Sequence, residues 1–204
     1  MQINKGHVYH FYNSGINTMP IFYCRDNYLT FLEKLHAYIL PYADVLSWCL
    51  LPDYFHLMLY VREAEIEIDE VARCNFIKRR TLNRSVSIML CSYTRTIMKK
   101  VTGSVFQHST EAVCLSDPSA IIPVWYLKEY GADNNVLNPS KEYPQLCFNY
   151  IHNAPVKEGL VKSPEDWEFS SFPDVAGLRN GKIINRERIG EMELFQSAGD
   201  YSYL

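Results

Sequence analysis

The chain has 204 residues, enough for one domain or one domain with a substantial extension, and it can bury a core. With 48% hydrophobic, 21% charged and 14% aromatic residues and no low-complexity tract, it is not a disordered or fibrous sequence. The net charge of −3 hides an asymmetry: Val71 to Thr110 holds eight Lys or Arg and no Asp or Glu, so the remainder carries −11.

In chain order, "HVYHFYNSG" reads as a first strand stopped by Asn13-Ser14-Gly15. With Asp26 as N-cap, "NYLTFLEKLHAYIL" spaces Tyr28, Phe31, Leu32, Leu35 and Ile39 as on a helix, which Pro41 stops. "DVLSWCLL" and "YFHLMLYV", separated by Pro52-Asp53, read as a β-hairpin. In its second strand Phe55, Leu57, Leu59 and Val61 point one way, and Tyr54, His56, Met58 and Tyr60 the other.

"EAEIEIDEVARCNFIKRR", acidic first and basic last, suits a helix dipole, and "SVSIMLCSYTRTIMKKVTG" an amphipathic helix closed by Gly103. "SVFQHSTEAVCL" is strand-like, and 116–139 hold a short helix near "VWYLKEYG". In "KEYPQLCFNYIHNAPV", Pro144 suits a first helical turn and Pro155 a stop. The end mixes turns with a terminal helix. The order β-α-β-β-α-β-α predicts an α+β fold with a ferredoxin-like antiparallel sheet, helices on one face and the other face free to bind.

The first fifteen residues show no signal peptide, and no apolar run approaches the ~20 residues of a membrane span. Six cysteines without a CxxC pair read as reduced thiols in a cytoplasmic protein.

Taken alone, His56 reads as a hydrogen-bonded strand histidine. Tyr150, in register with Leu146, Cys147, Ile151 and Ala154, reads as part of a packed helix stripe. In combination the motifs say more. "LLPDYFHLM" and "YIHNAPVKEGLVKSPEDWEFSS", with weaker echoes in "YHFYNSG" and "TGSVFQ", resemble the REP-associated tyrosine transposases, within the HUH single-tyrosine transposases. The resemblance spans roughly residues 7 to 172, implying a transposase-like domain over 1–172 and a C-terminal extension over 173–204.

That resemblance implies binding of single-stranded or hairpin DNA, and strand cleavage and joining through a 5′-phosphotyrosine. It makes Tyr150 the nucleophile. It also implies Mg²⁺ or Mn²⁺ held by two strand histidines and a polar group four residues after the tyrosine. Here the first-ligand position is Tyr54, the second is His56, and the third is Ala154, with Asn153 one place away as a substitute. A neutral phenol and a methyl group are poor ligands, so metal binding and cleavage are expected to be impaired.

Lys78, Arg79, Arg80, Arg84, Arg95, Lys99 and Lys100 are the candidate phosphate contacts. Tyr54, Tyr60 and His7 or His10 are candidates to stack on unpaired bases. Trp167 reads as packing. One alternative is an active transposase or endonuclease with a rearranged metal site, pairing His56 with Asn153, Asp53 or a nearby histidine; His108, in "HSTEAV" where the family has basic residues, is a candidate replacement contact. The other is a ferredoxin-like RNA-binding or protein-interaction module.

Overall fold

The alternation of "VYHFYNS" forms the centre of a four-stranded sheet in the computed structural model, which describes residues 2–68, 78–98, 105–117 and 139–195. β1 (Val8–Ser14) pairs antiparallel with β3 (Tyr54–Val61) on one side and β6 (Glu111–Cys114) on the other. β2 (Ala43–Leu50) is hairpinned to β3, giving the order β2-β3-β1-β6. α1 (Arg25–Tyr38) links β1 to β2, and α2 (Leu82–Ile97) lies between β3 and β6. This is the β-α-β-β-α-β order read from the sequence, in the expected α+β class.

The pleat explains which face received those helices. Phe55, Leu57, Leu59 and Val61 are fully buried, as predicted, and the Phe31 ring of α1 lies 5.0 Å from Phe55. Tyr93 of α2 stands edge-on to Phe31 at 5.3 Å. Each fully buried side chain of this size contributes about 1.5–3 kcal/mol, so this aromatic layer is a principal source of stability. α1 starts one residue before Asp26, with Cys24 at the cap and Asp26 in the first turn.

Several expectations give way to the structure. The acidic-to-basic segment is not a helix over its described ends: β4 (Glu65–Ile68) and β5 (Lys78–Thr81) pair antiparallel. Glu-Ile-Glu-Ile has the period of a strand, and Glu65 and Glu67 sit within reach of Arg79. Of "SVFQHSTEAVCL" only residues 111–114 form a strand, with Phe106 in an isolated bridge to Gly15. A Cβ on Gly15 would lie 1.9 Å from the Met19 carbonyl oxygen, so this close crossing requires glycine.

The third concerns the other sheet face. α3 (Pro139–Lys157) packs there, against β2 and β3, burying Cys147, Phe148, Ile151 and Ala154. The face is therefore covered where α3 crosses it. Pro144 and Pro155 both lie inside α3; Pro155 does not stop it, because Glu158 N still donates to Ala154 O at 3.0 Å and finishes the last turn.

Edge strand β2 is covered by the chain that follows α3. Leu50 N donates to Phe169 O, Ser171 N to Trp48 O, and Asn185 N to Val45 O, each at 2.9 Å, satisfying outward groups of the edge. α4 (Phe172–Val175) and α5 (Arg186–Glu191) belong to this segment. No helix among the described residues is long and apolar enough to cross a membrane, and the five described cysteines are free. Gly103, Cys74 and the helix expected near "VWYLKEYG" lie outside the described residues.

Candidate functional site

Strand pairing brings two histidines together. In the β1–β3 register Tyr12 faces His56 and His10 faces Met58, so parity places His10, Tyr12, Tyr54 and His56 on the α3 side. His10 Nε2 and His56 Nδ1 are 2.9 Å apart, both rings buried. Such a contact needs one ring to donate and the other to accept, which neutral imidazoles do. Burial lowers the His56 pKa to about 3, and burial followed by repulsion from His56 holds His10 well below the usual range. His56 Nε2 is buried without a hydrogen-bond partner.

α3 supplies the tyrosine. The Tyr150 ring lies 5.3 Å from the His56 ring at 67° and 6.3 Å from the His10 ring at 77°. Burial pushes the Tyr150 phenol up to about 12, with Cys147, Tyr12 and Glu158 adding to the rise. Lys157 Nζ sits 5.9 Å over the Tyr150 ring, and burial lowers its pKa.

The Tyr54 ring stands 5.1 Å from His56, and its hydroxyl donates to Glu158 Oε1 at 2.9 Å. Burial first, then this hydrogen bond, raises the Tyr54 pKa far above that of a free phenol. Ala154 is buried and presents only a methyl group. Asn153 is turned back into its own helix, its amide donating to Asn149 O at 3.0 Å.

This donor set does not fit Mg²⁺ or Mn²⁺. Such ions want several oxygen ligands with negative charge, close to octahedral for Mg²⁺. The cluster offers two imidazoles bonded to each other, protonated phenols, and one carboxylate engaged by Tyr54. No group of three or more His, Cys, Asp or Glu suited to a metal occurs among the described residues.

Sequence reasoning overlooked Glu158 and read His10 only as a base-stacking candidate. Glu158 lies two helical turns beyond Tyr150, just past the end of α3, so periodicity would have found it. His10 shares strand parity with Tyr12 and becomes legible once β1 is paired with β3.

The remaining motif residues are structural. His152 Nε2 lies 2.8 Å from Ser171 Oγ, which accepts from Trp48 N at 2.9 Å; this buried relay ties α3 to edge strand β2. Trp167 Nε1 donates to Leu50 O at 3.0 Å, in keeping with a packing role.

The basic candidates sit elsewhere. Arg84 and Arg95 are exposed on α2, in the layer across the sheet from His56 and Tyr150. Arg79 is near Glu65 and Glu67, while Arg80 donates to Tyr42 OH at 2.9 Å. Lys78 is in β5; Lys99 and Lys100 lie outside the described residues.

The stacking candidates are largely occupied. His10 is fully buried, Tyr54 holds Glu158, and Arg188 Cζ stacks 4.4 Å from the Tyr60 ring centre. His7 Nδ1 is 3.2 Å from Ser116 Oγ. His108 lines a cavity between β1 and α2 on the Phe11 side, away from His56.

No protein-family model matches this sequence, and neither does any curated protein. Among solved structures, the chain is similar to a REP-associated tyrosine transposase bound to a REP hairpin. The TM-score is 0.52 with 15% sequence identity, over 98% of this chain and 91% of that one. At that identity the likeness speaks for the fold.

Proposed function

We propose that this chain is a transposase-like DNA-binding protein of the HUH single-tyrosine type, recognising hairpin or single-stranded DNA, with its strand-cleavage chemistry impaired. The observation that carries this reading is the 5.3 Å approach of the Tyr150 ring to the His56 ring. Two motifs nearly a hundred residues apart in sequence meet at one site, in a fold whose solved counterpart is bound to a REP hairpin.

In the ancestral reaction the Tyr150 oxygen would attack a backbone phosphorus, forming a 5′-phosphotyrosine as the P–O3′ bond breaks and a 3′-hydroxyl leaves. This requires phenolate or a base. With the phenol near 12, about one molecule in 10⁵ is ionised at pH 7, some hundredfold fewer than for free tyrosine. His56 is neutral and can accept a proton, but its depressed basicity makes it a feeble base. Binding needs none of this. On this reading residues 1–172 form the DNA-binding domain and 173–204 a C-terminal extension, of which Asn185 bonds to Val45 of β2. Lys78, Arg84, Arg95, Lys99 and Lys100 meet phosphates, and Arg79 and Arg80 do so after releasing their present partners.

The test is a denaturing-gel assay with a labelled hairpin oligonucleotide and Mn²⁺, run beside equilibrium binding of the same oligonucleotide. Binding without a covalent adduct is the expected result. An adduct that disappears in Tyr150→Phe would overturn the impaired reading, and absence of binding would overturn the DNA-binding one.

A further inference from the structure

At the other end of the central strand, on the opposite sheet face, a thiol meets an imidazole. We infer that Cys114 is an oxidation site, a thiol assisted by His7 that reacts with a small hydroperoxide to give a sulfenic acid. The site shares no residue with the Tyr150 cluster and does not depend on the DNA-binding reading.

Strand register builds it. Cys114 closes β6 and stands directly opposite Tyr9 of β1. Residues two apart on a strand share a face, so Cys114, Tyr9 and His7, just ahead of β1, lie on the Phe11 side of the sheet, away from His10 and His56. Beyond β6 the chain brings Ser116 back to the start of β1, where its Oγ accepts from Val8 N at 3.0 Å.

Three side chains converge there. His7 Nδ1 lies 3.8 Å from Cys114 Sγ and 3.2 Å from Ser116 Oγ, and the sulfur and that oxygen are 4.0 Å apart. A thiol can donate to the imidazole nitrogen in this arrangement. Tyr9 is a fourth participant: its oxygen accepts from Asn4 N at 2.9 Å, which leaves its own proton to give. Burial raises the Tyr9 phenol, the Asn4 hydrogen bond opposes that, and Cys114 and Asp117 add to the rise, so the phenol holds its proton next to the sulfur.

The chemistry follows from these contacts. As Sγ attacks one peroxide oxygen, the thiol proton passes to His7 Nδ1, the S–O bond forms and the O–O bond breaks. The leaving oxygen takes the proton back and departs as water or an alcohol. Sulfur gives up two electrons, the peroxide gains them, and the product is Cys–S–OH. The Ser116 hydroxyl stands where it can donate to charge developing on sulfur.

Access and contrast make the site specific. Cys114, His7 and Ser116 are all half-buried, open to a molecule the size of hydrogen peroxide. Among the described residues Cys114 is the cysteine whose sulfur meets an imidazole nitrogen, while Cys24 and Cys91 are exposed without one. Cys49 and Cys147 are fully buried, and burial holds both thiols well above their ordinary range.

The test treats the full chain, without DNA, with hydrogen peroxide at pH 7 and a cyclic 1,3-diketone that traps sulfenic acids, and reads each cysteine peptide by mass spectrometry. A positioned general base contributes roughly 10²–10⁴-fold. With the half-burial of the sulfur set against that, Cys114 should be trapped at least ~10-fold faster than Cys24 and Cys91. His7→Gln should bring Cys114 down to the rate of that exposed pair or below it, leaving the pair unchanged. Ser116→Ala should slow Cys114 about 2–10-fold, the range for one hydrogen bond. Cys49 and Cys147 stay untrapped in a folded chain and so report on the fold of each variant.

Trapping of Cys114 no faster than of Cys24 and Cys91 in the natural chain would overturn the inference. So would an unchanged Cys114 rate in His7→Gln with Cys49 and Cys147 still protected. Should His7→Gln unfold the chain, Ser116→Ala and the comparison among cysteines of the natural chain decide the matter.

Discussion

Acidification should unfold this protein through its buried histidines. His56 and His152 are 5% and 2% exposed, and burial lowers each pKa to about 3, whereas in the unfolded chain they titrate near ~6.5. The depressed folded values mean that the stability they contribute is present above pH 6.5. It is lost progressively as pH falls toward 3, because only the unfolded state binds the protons. Two such groups give about 2.7 kcal/mol per pH unit, or about 4 kcal/mol by pH 5, and His10 acts in the same direction. Against a usual total of about 5–15 kcal/mol this is a large fraction.

Urea unfolding at a series of pH values between 7.5 and 5 measures the slope directly. At least two protons should be taken up per molecule below pH 6.5, and His152→Gln should remove about one of them whatever its effect on stability at pH 7. Stability constant to within about 1 kcal/mol from pH 7 to pH 5, or an unchanged slope in His152→Gln, would refute the neutral-histidine account of the site. The same account keeps His56 uncharged at neutral pH.

Ser171→Ala should cost about 2–4 kcal/mol in denaturant unfolding, since it strands the buried Trp48 N–H and His152 Nε2. Arg84→Ala/Arg95→Ala should lower the slope of log affinity for DNA against log salt by about 0.7–0.9 for each phosphate no longer neutralised, read from a salt series with a hairpin oligonucleotide. If, as proposed, cations meeting phosphates rather than the phenol carry the affinity, Tyr150→Phe should bind the hairpin within about twofold of the natural chain.

The strands β1, β2 and β3 and helix α1 were legible because their side chains alternate or recur with one clear period and are stopped by Asn13-Ser14-Gly15, Pro41 and Pro52-Asp53. In the β4–β5 segment charge order suggests a helix, but the two-residue period of Glu65 to Ile68 is the signal that prevails. Pro155 was expected to end α3, yet it removes only one donor, and Glu158 N closes the turn behind it. The covered sheet face was not legible because nothing local to α3 states which layer it joins; that follows from burial of Phe148 and Ile151 against β2 and β3.

The candidate site divides along the same line. The motifs named His56 and Tyr150, and their rings lie together. The Tyr54 departure was visible, but its partner was not, because Glu158 meets Tyr54 only after α3 has folded over β3. His10 needed the strand register before it could be placed beside His56.

The most direct test of the proposed metal-independent DNA binding is hairpin affinity measured by fluorescence anisotropy with EDTA present and absent. The account predicts salt-dependent binding, unchanged by EDTA, that is at least ~10-fold tighter for the hairpin than for a blunt duplex of the same composition. Binding abolished by EDTA, or equal affinity for the hairpin and the duplex, would contradict it.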